Sequence, residues 1–247
     1  MRIALFAPCF VDQLYPRVAI ATLRLLERLG VQVEVPDGAI CCGQPPANAG
    51  FAHDADAAMD RFIRVFAPYH RVIVISGSCA LHARNHGASR GAVGARVADA
   101  VVELSGFLHD DVGVERIRAL GARSAQRVAV HIGCHGLRGL RLATPSELRL
   151  PQLDKVRAVV GAVAGASFVE LERPDECCGF GGTFSVDEAA VSTRMGADRL
   201  RDYSRSKADV VVSTDVSCMM HLSGVSRARG GVVPFLHIAE FLDGAVQ

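Results

Sequence analysis

A block of cysteines recurs twice along this chain, in the same order and with the same neighbours. The first set is Cys9, Cys41, Cys42 and Cys79, and the second is Cys134, Cys177, Cys178 and Cys218. Each set reads one, two adjacent, one. The intervals are 32 and 37 residues in the first half and 43 and 40 in the second. The flanking sequence repeats as well. "RIALFAPCF" (2–10) parallels "RVAVHIGCHG" (127–136), an apolar run that ends in Cys. "VQVEVPDGAICCG" (31–43) parallels "ASFVELERPDECCG" (166–179), an alternating run, Pro-Asp, then Cys-Cys-Gly. "RVIVISGSCALH" (71–82) parallels "ADVVVSTDVSCMMH" (208–221), a Val-rich run, a polar turn, then Cys-x-x-His. Three aligned blocks make an internal duplication, with one repeat at 1–115 and the other at 125–247.

The apolar patterns between these blocks alternate in type. Strands are predicted at 3–7, 31–35, 71–75, 127–132, 167–171 and 209–213, and helices at 15–29, 54–66, 93–109, 151–164 and 187–206. The stretch "GGVVPFLHIAEFL" (230–242) adds a last strand and a short helix, and 112–126 has the least defined boundary. The expected fold class is α/β: internally duplicated βαβ units around parallel sheets, in a pseudo-two-fold arrangement. Every cysteine group follows a predicted strand. In open α/β sheets ligands bind beyond the carboxyl ends of the strands. Each half is therefore expected to gather its four thiols in one crevice.

Charge and compartment narrow the chemistry. The formal net charge is +1, which gives no reason to expect nucleic acid or an acidic membrane face. No run approaches the roughly 18 apolar residues of a membrane span. The N-terminus passes directly into a predicted strand without a signal-peptide pattern. The expected location is the cytoplasm, where thiols stay reduced, so eight cysteines read as ligands or redox groups rather than disulfides.

Four convergent thiolates suit an iron–sulfur cluster or a zinc ion. A zinc ribbon would draw two ligands from each CxxC turn, and neither half has one. Adjacent cysteines point apart and hold different atoms of a larger cluster more readily than one small ion. That favours iron–sulfur, with zinc as the alternative. Gly43, Gly179, Gly181 and Gly182 allow close backbone approach, and their N–H groups can meet cluster sulfides. "GFGG" is otherwise a plain turn, and no Lys-Ser/Thr follows it to make a phosphate loop. His82 and His221, three residues after the last cysteine of each half, are candidate ligands or hydrogen-bond donors. His131 and His135 flank Cys134 and are placed to tune its thiolate. A Cys134–His135 nucleophile pair would leave the other seven cysteines unexplained. A Cys177–Cys178 disulfide would be a strained ring. Arg138 and Arg141 are the candidates for a carboxylate clamp. No GxGxxG follows a strand, so no flavin or nicotinamide fingerprint is present.

The pattern Cys…Cys-Cys-Gly…Cys, twice, resembles the cysteine-rich CCG-domain family, which includes a component of heterodisulfide reductase and the iron–sulfur component of glycolate oxidase. The stretches "FAPCFVDQLYP", "LLERLGVQVEVPDGAICCGQPPANAG", "SGSCA", "CCGFGGTFSV" and "HIAEFL" are similar to its lactate-utilization branch along nearly the whole chain. The resemblance implies an oxidoreductase component that takes part in oxidising a small 2-hydroxy acid, L-lactate, to pyruvate. It implies a 4Fe–4S cluster, cubane or non-cubane, with all eight cysteines as ligands in two sites. It also implies partners: a ferredoxin-like iron–sulfur subunit and a third small subunit. The chain departs from the wider family, whose motifs end in CxxC, because His82 and His221 occupy the final position. Relatives in the closer branch often carry a further cysteine where this chain has Val216. These departures leave three roles open: a redox subunit, a zinc-held scaffold subunit, and a thiol–disulfide reductase subunit of the heterodisulfide type.

Overall fold

A computed structural model describes residues 1–38, 40–231 and 234–246. Two all-parallel sheets form. The first contains β1 (Ile3–Phe6), β2 (Arg71–Val74) and β3 (Val101–Glu103), in the order β1-β2-β3. The second contains β4 (Arg127–His131), β5 (Ser167–Phe168), β6 (Val210–Ser213) and β7 (Phe235–His237), in the order β5-β4-β6-β7. Glu34 adds a parallel bridge to Ala4 on the free side of β1, where Leu5 donates to its carbonyl at 2.8 Å. With that bridge the two sheets have the same order. The expected duplicated α/β fold with parallel sheets is the one observed.

Four predicted elements are corrected. The strand expected at 31–35 is reduced to the bridge at Glu34. Val31 donates to Leu26 at the end of the preceding helix, and Pro36 has no N–H with which to extend a ladder. Its counterpart β5 is likewise only two residues, shorter than the expected 167–171. The helix expected over 93–109 is interrupted. A helix spans Gly91–Ala100, then β3 pairs with β2, then a short helix spans Leu104–Phe107. Short buried apolar runs do not reveal their period, and here the β-branched Val101 and Val102 complete the sheet. The helix expected over 151–164 contracts to Lys155–Val160, between its cap Asp154, which accepts from the Arg157 N–H, and Gly161. In the last predicted strand, Val232 and Val233 lie outside the described residues.

The period-2 alternation of the strands decides which core each side chain enters. Leu5 and Ile73 of the first sheet meet Val128, Val130, Val210 and Val212 of the second in one shared core. The helices Pro16–Arg28 and Ile238–Ala245 fill it with Val18, Leu25, Leu26, Ile238, Phe241 and Leu242. The alternate residues Ala4, Phe6, Val72 and Val74 face an outer core with Met59, Phe62 and Phe66 of the helix Ala52–Phe66. Ala129 and Val211 face the equivalent outer core with Leu200 and Tyr203 of the helix Ala189–Ser206. Because the core between the sheets is common to both halves, their strand ends are held close together. No helix among the described residues is long and apolar enough to cross a membrane.

Candidate metal centres

Each cysteine lies just beyond a strand or its bridge equivalent. Cys9 opens the helix Cys9–Leu14 after β1, and Cys134 precedes the turn His135–Gly139 after β4. Cys79 and Cys218 sit in the first turns of the helices Gly77–Ala88 and Val216–Ala228, after β2 and β6. The adjacent pairs lie in the loops after Glu34 and β5. In the second half Cys178 Sγ donates to Cys218 Sγ at 3.1 Å, and Cys134, Cys177 and Cys178 lie close enough to shift one another's acidity. In the first half Cys9, Cys41, Cys42 and Cys79 act on one another's acidity in the same order. Two separate crevices were the expectation, but Cys9, Cys42, Cys79, Cys134, Cys177, Cys178 and Cys218 all line one cavity of about 480 Å³. The shared core makes both sets of strand ends open into the same cleft.

The glycine of each Cys-Cys-Gly is required by geometry. Gly43 and Gly179 have φ of +89° and +90°, in the left-handed region. A Cβ at Gly43 would lie 2.8 Å from the Ala55 carbonyl oxygen, and one at Gly179 would lie 2.6 Å from that of Ser192. In return each N–H meets a sulfur: Gly43 donates to Cys41 Sγ at 3.3 Å and Gly179 to Cys177 Sγ at 3.4 Å. Phe180 N–H donates to Cys178 Sγ at 3.4 Å. Gly179→Ala is expected to destabilise the metal-free protein by roughly 2–4 kcal/mol, from left-handed strain plus overpacking. Urea unfolding of the two proteins measures it, and a loss below about 0.5 kcal/mol would contradict the packing described.

The electrostatics give each quartet one dominant thiolate. Hydrogen bonds from Cys42 and Cys9, helped by Gly43 N–H, hold Cys41 well below the usual thiol range. Bonds from Cys134 and Cys178, helped by Gly179 N–H, do the same for Cys177. Those bonds and burial push the donors Cys9, Cys42, Cys134 and Cys178 upward.

Asp215 joins the two halves at this point. Its Oδ1 accepts from Ser217 N–H at 3.0 Å and so caps the Cys218 helix. Its Oδ2 accepts from Ser78 N–H at 2.7 Å and Ser76 Oγ at 3.1 Å, at the start of the Cys79 helix of the other half. One buried carboxylate thus caps both cysteine-bearing helices. The sequence reading missed it. The available signal was Asp at an N-cap position just before Val-Ser-Cys.

The histidines have different surroundings. His131 is buried, with Nδ1 2.8 Å from Tyr203 Oη and no partner for Nε2. Burial pushes it down to about 3, so it is neutral. One of its ring nitrogens and the sulfurs of Cys178 and Cys218 lie within 4.8 Å of one another. His82 stacks on His86 with ring centroids 5.1 Å apart, and its buried Nε2 has no partner. Burial pushes His82 down to about 4. His221 Nε2 is 3.3 Å from the Ser192 carbonyl, which occupies that nitrogen. His135 reaches across the cleft, with Nε2 3.4 Å from Gln44 Nε2. Arg138 pairs with Glu147 at 2.7 Å, and Arg141 is exposed. Neither lines the cavity, and none of the described lining residues is Lys or Arg, so the expected carboxylate clamp does not form there.

Four thiols, N–H donors aimed at sulfur, and left-handed glycines that clear the space fit a thiolate-bound metal centre in each half. The chain belongs to the cysteine-rich CCG-domain family: the family model matches residues 3–84 and 128–223, one copy in each half. Its relatives include proteins named Lactate utilization protein A. It is 35% identical to that of Bacillus subtilis (strain 168) over 98% of this chain and 99% of the relative. The proteins of that name from Bacillus licheniformis and Geobacillus kaustophilus are 34% and 35% identical over the same shares.

Proposed function

We propose that this protein is an iron–sulfur-binding oxidoreductase subunit of a bacterial L-lactate oxidation system. The observation that carries this reading is the single cleft lined by cysteines of both quartets. In this reading Cys9, Cys41, Cys42 and Cys79 hold one centre in the repeat 1–115. Cys134, Cys177, Cys178 and Cys218 hold the other in the repeat 125–247. A 4Fe–4S cluster bound by such thiolates supplies one-electron chemistry.

The chain's own residues do the rest. The thiolates Cys41 and Cys177 provide the first negative charge for a metal. The Gly43, Gly179 and Phe180 N–H groups offset charge on sulfur. Asp215 fixes the spacing of the two cysteine helices, and the apolar cores beneath exclude water from one side of each quartet. The lactate-utilization role is supported by the names of the full-length relatives. None of the cleft's described lining residues is Lys or Arg, so in this reading the 2-hydroxy acid is bound mainly by partners and this chain carries electrons. Those partners are a ferredoxin-like iron–sulfur subunit and a third small subunit, all in the cytoplasm.

The test is anaerobic. The purified, coloured protein is mixed with the two partner subunits and L-lactate. Bleaching of the visible absorption and formation of pyruvate are expected only in the full mixture. Reduction by dithionite but never by lactate would contradict the assignment to lactate oxidation.

A further inference from the structure

The two quartets are built alike, but what lies behind them differs. In the first half, Phe6, Phe62 and Phe66 form an apolar triad, with ring centroids 5.1, 5.6 and 4.5 Å apart. The second half replaces it. His131 stands three residues before Cys134, as Phe6 stands three before Cys9. Arg199 and Tyr203 lie seven and eleven residues beyond Ser192, the residue on which Gly179 packs. Phe62 and Phe66 stand at the same distances from Ala55, on which Gly43 packs. One set of positions thus carries three phenyl rings in one half and His, Arg and Tyr in the other.

The polar set has a fixed proton order. Arg199 is fully buried, and a guanidinium can only donate. Its Nε donates to Tyr203 Oη at 2.9 Å. Among the described hydrogen bonds the phenol's own proton has one acceptor in reach, His131 Nδ1 at 2.8 Å. Nδ1 then accepts, and the imidazole proton sits on Nε2. That nitrogen is buried with no partner, and one ring nitrogen of His131 lies within 4.8 Å of the sulfurs of Cys178 and Cys218. A buried N–H without an acceptor is costly, and sulfur in a filled site is the acceptor at hand. Asp202 at 2.9 Å balances the Arg199 charge, so the effect on the site comes through the N–H. Among the described residues the first half has no equivalent relay, although His82 Nε2 is also buried without a partner. Phe6 cannot donate, and His82 has no such relay behind it.

We propose that Arg199, Tyr203 and His131 form a relay that presents a fixed N–H to the sulfurs of the second quartet, making a centre held by Cys134, Cys177, Cys178 and Cys218 easier to reduce than one held by Cys9, Cys41, Cys42 and Cys79. This rests on the proposed iron–sulfur function. Hydrogen bonds to cluster sulfurs stabilise the more negative, reduced state and so raise the potential. His131 is a positioning residue here, and electrons enter the cleft's second site first.

The test uses full-length protein, loaded anaerobically, with iron per chain measured before each EPR-monitored potential titration. In wild type two midpoints are expected. His131→Phe, which copies the first half, should lower the higher one and leave the lower one in place, with iron content unchanged. Tyr203→Phe keeps the ring and removes only the hydroxyl, and should lower the same midpoint by less. Unchanged midpoints in iron-replete His131→Phe would overturn the proposal. The relay is also read without metal. ¹⁵N NMR of the metal-free protein should show His131 protonated on Nε2 and bare on Nδ1 between about pH 5 and 8, with that order lost in Tyr203→Phe. A wild-type ring protonated on Nδ1 overturns the relay whatever the iron content. Iron-free wild type contradicts the redox function and the difference in potential, and the NMR result still decides the relay.

Discussion

Cys178→Ser is expected to remove the metal from the second quartet and leave the first loaded, which cuts iron per chain to about half. Cys178 is central to its set, hydrogen-bonded to Cys177 on one side and 3.1 Å from Cys218 on the other. It is buried, so no surface ligand can take its place without moving the Gly179 turn. A serine hydroxyl keeps the shape but is a poor ligand for soft metal. The fold should survive, because the substitution leaves the shared core untouched and costs the metal-free protein about 1–2 kcal/mol. Cys42→Ser should have the reciprocal effect on the first quartet. Iron analysis with EPR separates the two cases. Loss of all iron from either variant would mean that both quartets hold one common centre across the cleft. Full iron in both would mean that these cysteines are not ligands.

Asp215→Ala should destabilise the metal-free protein by about 3–4 kcal/mol, a fall in Tm of about 10 °C for a chain this long. Each lost helix cap costs about 1 kcal/mol, and hydrogen bonds to a buried charge are worth about 1.5–3 kcal/mol apiece. Nearby Glu103 adds little repulsion, because burial pushes its carboxyl up to about 8 and keeps it largely protonated near neutral pH. Asp215→Asn keeps the acceptor on one side only and should recover less than half. Because Asp215 accepts from Ser76 and Ser78 of the other repeat, Ala should also lower metal occupancy in both quartets rather than in its own alone. Urea unfolding and iron analysis on the same preparations test both effects. A loss under about 1 kcal/mol would show that the shared core alone sets the position of the helices.

Much of this was legible in the repeat. Three matched blocks were enough to place eight cysteines at strand ends and to make both sheets parallel, because a Val-rich run followed by a polar turn and Cys has few other foldings. Residues 101–103 were not legible. "AVVELSGFL" has the apolar density of a helix, and only pairing with Val72, Ile73 and Val74 makes it a strand. The segment 31–35 failed for the opposite reason: it alternates like a strand, but a proline and the preceding helix leave it a single bridge. The merging of two crevices into one cleft depends on how two sheets share a core, and no local pattern carries that. The His131, Tyr203 and Arg199 relay joins residues 72 and four positions apart, and its only trace in sequence is the break in symmetry at Phe6 and His131.

The most direct measurement is metal and acid-labile sulfide on anaerobically purified protein, with EPR before and after dithionite. Two thiolate-held clusters predict about eight irons and eight sulfides per chain when fully loaded, with signals that change on reduction. Stoichiometric zinc with no sulfide and no signal would contradict an electron-carrying role and leave the cleft a structural one.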